Sequence, residues 1–249
     1  MIWKNIIRYS ISIATIVGIW KFIIFIFTVP DFILPAPSQV MTVLFTEKNL
    51  FLDHTKATII HMGGGIGIGI TLGILTGFAI AYSRTLLWLI EPYLIIFQSF
   101  PREALIPIIV VWLGFGHAPK IFNSAILSFF PMALITLNSL KDTRSEYIEI
   151  IKIWGAPKLK EYFYCRLPNA IYTIVGGLKI TIPLGLIGAV LGEFMGGNEG
   201  LGHVIISSGA NYRMDRSFAS LVILSLIGLI SLSLVRYLQD VVLKKYKQE

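Results

Sequence analysis

Gln98, Arg102 and Glu103 stand near the middle of a long apolar run, and theirs is the chemistry the surrounding residues accommodate least. A charged side chain at bilayer depth costs roughly 3 kcal/mol or more unless it is paired, hydrated or buried in protein, which makes these three candidates for a solute pathway. Pro101 removes a backbone donor just before them and could leave carbonyl groups lining a cavity. The competing reading is that Arg102 and Glu103 pair with each other and stabilise a break between two half-helices. An anionic solute is compatible with Arg102, although Glu103 offsets that charge locally. Lys21, Lys179 and Glu193 are weaker candidates of the same kind. His54, His61, His117 and His203 share no ligand-like spacing and read as interfacial or packing residues, and no Ser-His-Asp set can be assembled. A single cysteine, Cys165, excludes a disulfide framework and a cysteine-based metal site. The sequence carries no G-x-x-x-x-G-K-[ST] loop, so it is not a P-loop ATPase, and ATP-driven work would need a partner.

The elements that hold these residues are membrane spans. Of 249 residues, 55% are hydrophobic and 14% charged, against about 25% charged in soluble domains, which excludes a water-soluble globule and a disordered chain. Apolar runs predict six transmembrane helices over residues 10–29, 59–82, 86–113, 121–140, 171–194 and 218–238. They make one transmembrane domain over 10–240, preceded by a short N-terminal segment (1–9) and followed by a basic tail (241–249). The first run is longer than a signal-peptide core and no small-x-small cleavage site follows, so it reads as an uncleaved helix. The net charge of +7 is mainly an orientation signal. With the N-terminus inside, 13 of the 21 Lys and Arg fall on the cytoplasmic side and five opposite, with three in or at the edge of spans. Both termini and loop 141–170 are therefore expected to be cytoplasmic.

Two segments carry more specific information. Gly65, Gly69, Gly73 and Gly77 recur every four residues, a stripe that lets another helix approach closely, either within the chain or from a second copy. Loop 141–170 alternates charge with Tyr147, Ile148, Ile151 and Trp154 at helical spacing. Gly155, Ala156 and Pro157 should stop that helix, and a second short helix is expected from Lys158 to Arg166, ending before Pro168. The exposed apolar face with a basic rim suits either protein docking or the lipid headgroups. Pro30 to Pro37 reads as an extended connection, with Ser38 capping a short helix through Leu44.

Glu149, Gly155 six positions later, and Leu167-Pro168 are similar to the EAA loop of ABC-importer permeases. Ile150 and Ile151 stand where that motif has two alanines, and Cys165 where it has isoleucine. The chain also resembles the nitrate, sulfonate and taurine branch, which includes thiamine-precursor and riboflavin importers. The resemblance rests on Leu34 to Ser38, on Pro101, Ala104, Pro107, Trp112, Gly114, Gly116 and Lys120, and on Glu193-Phe194 with Gly200-Leu201-Gly202. It implies an all-α, six-span MetI-like fold in a bacterial inner membrane, with Glu149, Ile150, Ile151, Gly155, Ala156, Leu167 and Pro168 forming the ATPase-coupling loop. It further implies a second permease copy, two cytosolic ATPase subunits that use ATP and Mg, and an extracytoplasmic solute-binding protein. No cofactor or metal on the chain itself and no nucleic-acid partner are expected. The implied solute is a nitrate-, sulfonate- or taurine-like anion, or next a thiamine-precursor pyrimidine or riboflavin. A stand-alone secondary transporter or channel is the alternative, disfavoured by scarce intramembrane acids and no evident inverted repeat. A membrane enzyme lacks a clustered His, Asp or Cys set in the sequence.

Overall fold

The computed structural model describes residues 2–143 and 145–246, and every regular element among them is helical. In chain order these are α1 (Ile2–Phe27), α2 (Pro37–Thr46), α3 (Lys48–Tyr82), α4 (Arg84–Ser99), α5 (Ile106–Leu113), α6 (His117–Lys141), α7 (Ser145–Ile153), α8 (Lys158–Glu161), α9 (Leu167–Met195), α10 (Leu201–Ala210) and α11 (Met214–Tyr246). A 3-10 turn, Arg102–Leu105, precedes α5, and a π turn, Tyr162–Arg166, joins α8 to α9.

Among the described residues four helices are long and apolar enough to cross a membrane, with α8, the π turn and α9 running as one 38-residue rod, Lys158–Met195. A fifth span exists if the bent pair Arg84–Phe97 and Arg102–Leu113 is counted as one. With α1, whose apolar part is Ala14–Phe27, the set is compatible with six spans. The third predicted span is thus broken: its halves are bent by 84° at Pro101, where the ladder loses a donor.

The middle of the bundle is α6. In its apolar window 61% of residues are buried, against 17% in α11, so α6 is packed on by neighbours while α11 presents its sides outward. The glycine stripe explains part of this. Gly65, Gly69, Gly73 and Gly77 are all buried. A Cβ on Gly69 would lie 2.5 Å from the Ala125 carbonyl oxygen, and one on Gly73 would lie 2.8 Å from Met132 Cβ. These contacts are all with α6 of the same chain. A second small-residue face, Gly185, Gly188 and Gly192 on α9, meets α3 and α6 from the other side.

Three local expectations are corrected. Residues 30–34 form a turn, with Ile33 N–H donating to the Pro30 carbonyl at 2.9 Å, and not an extended connection. Helix α2 is capped at Ala36 and not Ser38: Pro37 takes the first turn, where its missing N–H costs nothing, and Gln39 Oε1 accepts from Ala36 N–H at 2.7 Å. The helix after Pro157 does not end before Pro168. The wider π turn resets the carbonyl register, so Pro168 sits in the first turn of α9 and the rod continues.

Candidate functional site

Chemistry-bearing residues gather at the two ends of the rod Lys158–Met195, about 57 Å apart at 1.5 Å per residue.

At the N-terminal end is the loop containing α7 and α8. Helix α7 stops where Gly155 takes φ +67°, and Ala156 N–H donates back to the Ile151 carbonyl at 3.3 Å, the six-to-one bond of a Schellman ending. Pro157 then opens α8. The apolar side chains of this end lack cover: Ile153 is 82% exposed, Trp154 85% and Tyr164 76%. Glu149 is exposed on α7, Ala156 is half-buried, and Ile151 faces a groove with Tyr147, Tyr164, Cys165 and Asn169. Leu167 and Pro168 are half-buried, Leu167 against the cluster of Met132, Leu140, Ala170 and Ile174. The side chain of Ile150 lies outside the described residues.

The base of this loop is fixed while its tip is bare. Arg166 donates to the Leu140 carbonyl at 2.9 Å and to Glu161 Oε1 at 2.7 Å, and stacks over Tyr162 at 4.9 Å. The Tyr162 hydroxyl donates to the Ala81 carbonyl at the end of α3. A push on α7 and α8 would therefore reach α3, α6 and α9 together. The loop thus joins an exposed apolar tip to an anchored base.

At the other end, Glu193 is fully buried yet saturated with hydrogen bonds. Its Oε2 accepts from Thr58 Oγ1 at 3.1 Å and from Gly202 N–H at 2.8 Å, and its Oε1 lies 2.8 Å from His61 Nδ1. Thr58 Oγ1 in turn accepts from Leu201 N–H at 2.8 Å, and His54 Nδ1 accepts from Gly200 N–H at 3.1 Å. The unpaired donors that open α10 are thus satisfied by side chains from α3 and α9, with a carboxylate at the positive end of the helix dipole. This geometry accounts for Gly200-Leu201-Gly202: Gly200 has φ +104° and a Cβ there would enter the Glu193 carboxylate, while one on Gly202 would lie 2.6 Å from the Val190 carbonyl oxygen.

From Glu193 the polar line continues outward. His61, also fully buried, places Nε2 2.8 Å from His117 Nδ1, and His117 Nε2 lies 3.5 Å from Glu199 Oε2. Lys120, 1% exposed, donates from Nζ to the Glu199 carbonyl at 3.0 Å. The four histidines read in the sequence as interfacial or packing residues without a shared spacing; the fold brings His61 and His117 into contact. They come from α3 and α6, 56 positions apart, so no sequence spacing could have joined them. The same end carries an ion-pair group: Arg216 Nε lies 2.6 Å from Glu47 Oε2, and Arg213 bonds both Glu47 at 3.2 Å and Asp215 at 2.9 Å. The hydrogen bond from Arg213 to Asp215 holds the Arg213 guanidinium above its ordinary range.

The pathway candidates lie between these ends. Arg102 and Glu103 do not pair among the described residues. Glu103 is exposed, whereas Arg102 buries Nε and Nη1 without a hydrogen-bond partner and lies 5.8 Å from the Phe130 ring centre. The Gln98 side chain lies outside the described residues, its backbone being in the last turn of α4. Lys21 and Lys179 are exposed on the bundle surface.

Residues 69–247 match the family model of binding-protein-dependent transport system inner membrane components. The chain is 32% identical over 219 residues to the formylaminopyrimidine transport permease ThiX of Halalkalibacterium halodurans, covering 88% of each chain. It is 28% identical over 240 residues to the putative aliphatic sulfonates transport permease SsuC of Bacillus subtilis, covering 93% of this chain and 84% of that one. A solved structure of the MetNI methionine ABC transporter in an inward-facing conformation superposes with a TM-score of 0.68 at 19% identity, over 79% of this chain and 98% of that one.

Proposed function

This chain belongs to the family of binding-protein-dependent transport system inner membrane components, the ABC transporter permeases, and on that premise we propose that it forms the solute pathway of an ATP-driven importer. It is a multi-pass membrane protein. In the proposed assembly it pairs with a second copy, receives its solute from an extracytoplasmic binding protein, and docks two cytosolic ATPase subunits that bind ATP and Mg. The chain itself performs no hydrolysis.

The observation that carries this reading is the bare apolar tip of the α7–α8 loop on an anchored base. Ile153 and Trp154 are left uncovered among the described residues, and Glu149 and Gly155 match the spacing of the EAA loop. Docking there would move α7 and α8, and through the rod Lys158–Met195 that motion reaches the Glu193 end. The result is a two-state element able to alternate the side to which the pathway opens. In this arrangement the loop, the N-terminus and the basic tail face the cytoplasm, as the charge asymmetry favours.

For the solute, a small sulfonate- or taurine-like anion is supported by Arg102, whose buried Nε and Nη1 make no hydrogen bond and which forms no ion pair among the described residues. A buried unpaired guanidinium attracts an anion with two oxygens. A neutral formylaminopyrimidine-like heterocycle is the second reading, favoured by the 32% identity to a permease of that name. Uptake by the reconstituted importer, measured with each solute class and its binding protein, separates the two. Anion uptake lost in Arg102→Ala supports the first, and anion uptake unchanged by that substitution contradicts it.

A further inference from the structure

The line Glu193, His61, His117, Glu199 contains three contacts and two imidazole rings. Satisfying all three requires a proton on His61 Nδ1, one between the facing nitrogens His61 Nε2 and His117 Nδ1, and one on His117 Nε2. Two neutral rings carry two protons, so one of the three contacts is unmade until a third proton or another cation enters the line. Lys120 Nζ donates to the Glu199 backbone carbonyl at 3.0 Å and touches neither imidazole, so it does not fill the place between the rings.

We propose that this position is a divalent transition-metal site of the zinc class, with His61, His117 and Glu199 as ligands. One ligand atom from each of the three lies within 4.8 Å of the others. Bonds of about 2.0–2.2 Å to a tetrahedral ion set such atoms roughly 3.4 Å apart, so the 2.8 Å contact between the facing nitrogens would open and the wider separations close by rotation of the half-exposed His117 and Glu199 side chains. His61 is prepared for the task. Glu193 holds its Nδ1–H, which fixes the tautomer that directs the Nε2 lone pair at the site, as carboxylate and histidine do in metal centres. A set of two imidazoles and one carboxylate favours zinc, nickel or copper over calcium or magnesium. A cavity of about 400 Å³, lined by Asp53, His54, Lys56, His117, Asn198 and Glu199, opens on the site and leaves a fourth position for water. Bound there, the ion would tie α3, α6 and the α9–α10 turn together. This inference rests on side chains outside the docking loop and does not depend on the solute or the ATPase.

The test is metal binding by the full chain purified in detergent, stripped with EDTA and titrated with zinc chloride. Cobalt(II) serves as the probe of coordination through its visible absorption. The expected result is saturable binding of one zinc per chain, a rise in thermal midpoint with zinc and none with calcium, and a tetrahedral cobalt spectrum. Glu199→Gln and His117→Ala, both at half-exposed side chains that leave the Glu193 core in place, are expected to weaken zinc at least tenfold. Absence of saturable binding below millimolar zinc would overturn the proposal. So would zinc binding that both substitutions leave unchanged, since that would show a site elsewhere.

Discussion

The two ends of the rod Lys158–Met195 solve opposite problems. At the α7–α8 end, large apolar side chains such as Trp154 and Ile153 are left in the open. At the Glu193 end, a carboxylate and an imidazole are buried completely, and nearly every donor around them is answered. An apolar surface without cover is a surface completed by another molecule. A buried carboxylate whose oxygens are fully bonded within the chain resists change. One end is built to be moved and the other to hold, with a continuous helix between them.

That contrast orders the effects of substitution. Glu193→Ala strands Thr58, His61 and the Gly202 amide in a dry interior and is expected to cost roughly 3–5 kcal/mol, read as a large fall in thermal midpoint or loss of the purified protein. Gly69→Leu drives a side chain into the Ala125 carbonyl and should cost about 2–3 kcal/mol by the same assay, while Gly67→Leu, at a glycine with open space beside it, should be tolerated. Arg102→Ala removes a guanidinium that makes no hydrogen bond, so stability should hold while uptake of an anionic solute falls about tenfold, equivalent to roughly 1.4 kcal/mol. Trp154→Asp at the exposed tip should shift stability by about 0.5 kcal/mol or less and still remove ATPase binding. If Trp154→Asp destabilised the chain as much as Glu193→Ala, the contrast between the ends would fail.

The same contrast explains what was legible in the sequence. The α7–α8 loop is local: Glu149, Gly155 and Pro157 lie within nine positions, and the turn they specify needs only Gly155 in the left-handed region and a proline behind it. The glycine stripe on α3 was legible as a surface, yet its partner was not, because a face without side chains does not say which helix will fill it. The Glu193 cluster was invisible. Its members come from α3, α6, α9 and the turn before α10, separated by as many as 146 positions, and each alone is an ordinary interfacial residue. The one available signal was Glu193 with Gly200 and Gly202, two glycines that read as a motif because a carboxylate occupies the space where a Cβ would go. Pro168 misled for a physical reason: a proline ends a regular helix, and a π turn before it lets the helix continue.

The account turns on the α7–α8 tip being the surface that couples the chain to ATP hydrolysis. The most direct measurement is co-purification of the partner ATPase with the wild-type chain and with Gly155→Arg, alongside thermal midpoints for both and uptake in proteoliposomes. The expected result is ATPase captured by the wild type and lost in Gly155→Arg, with a folded chain whose stability falls only by about 1–2 kcal/mol from left-handed strain at that position, and no uptake without the ATPase. Undiminished ATPase binding by a stable Gly155→Arg chain, or uptake that persists with no ATPase present, would contradict it.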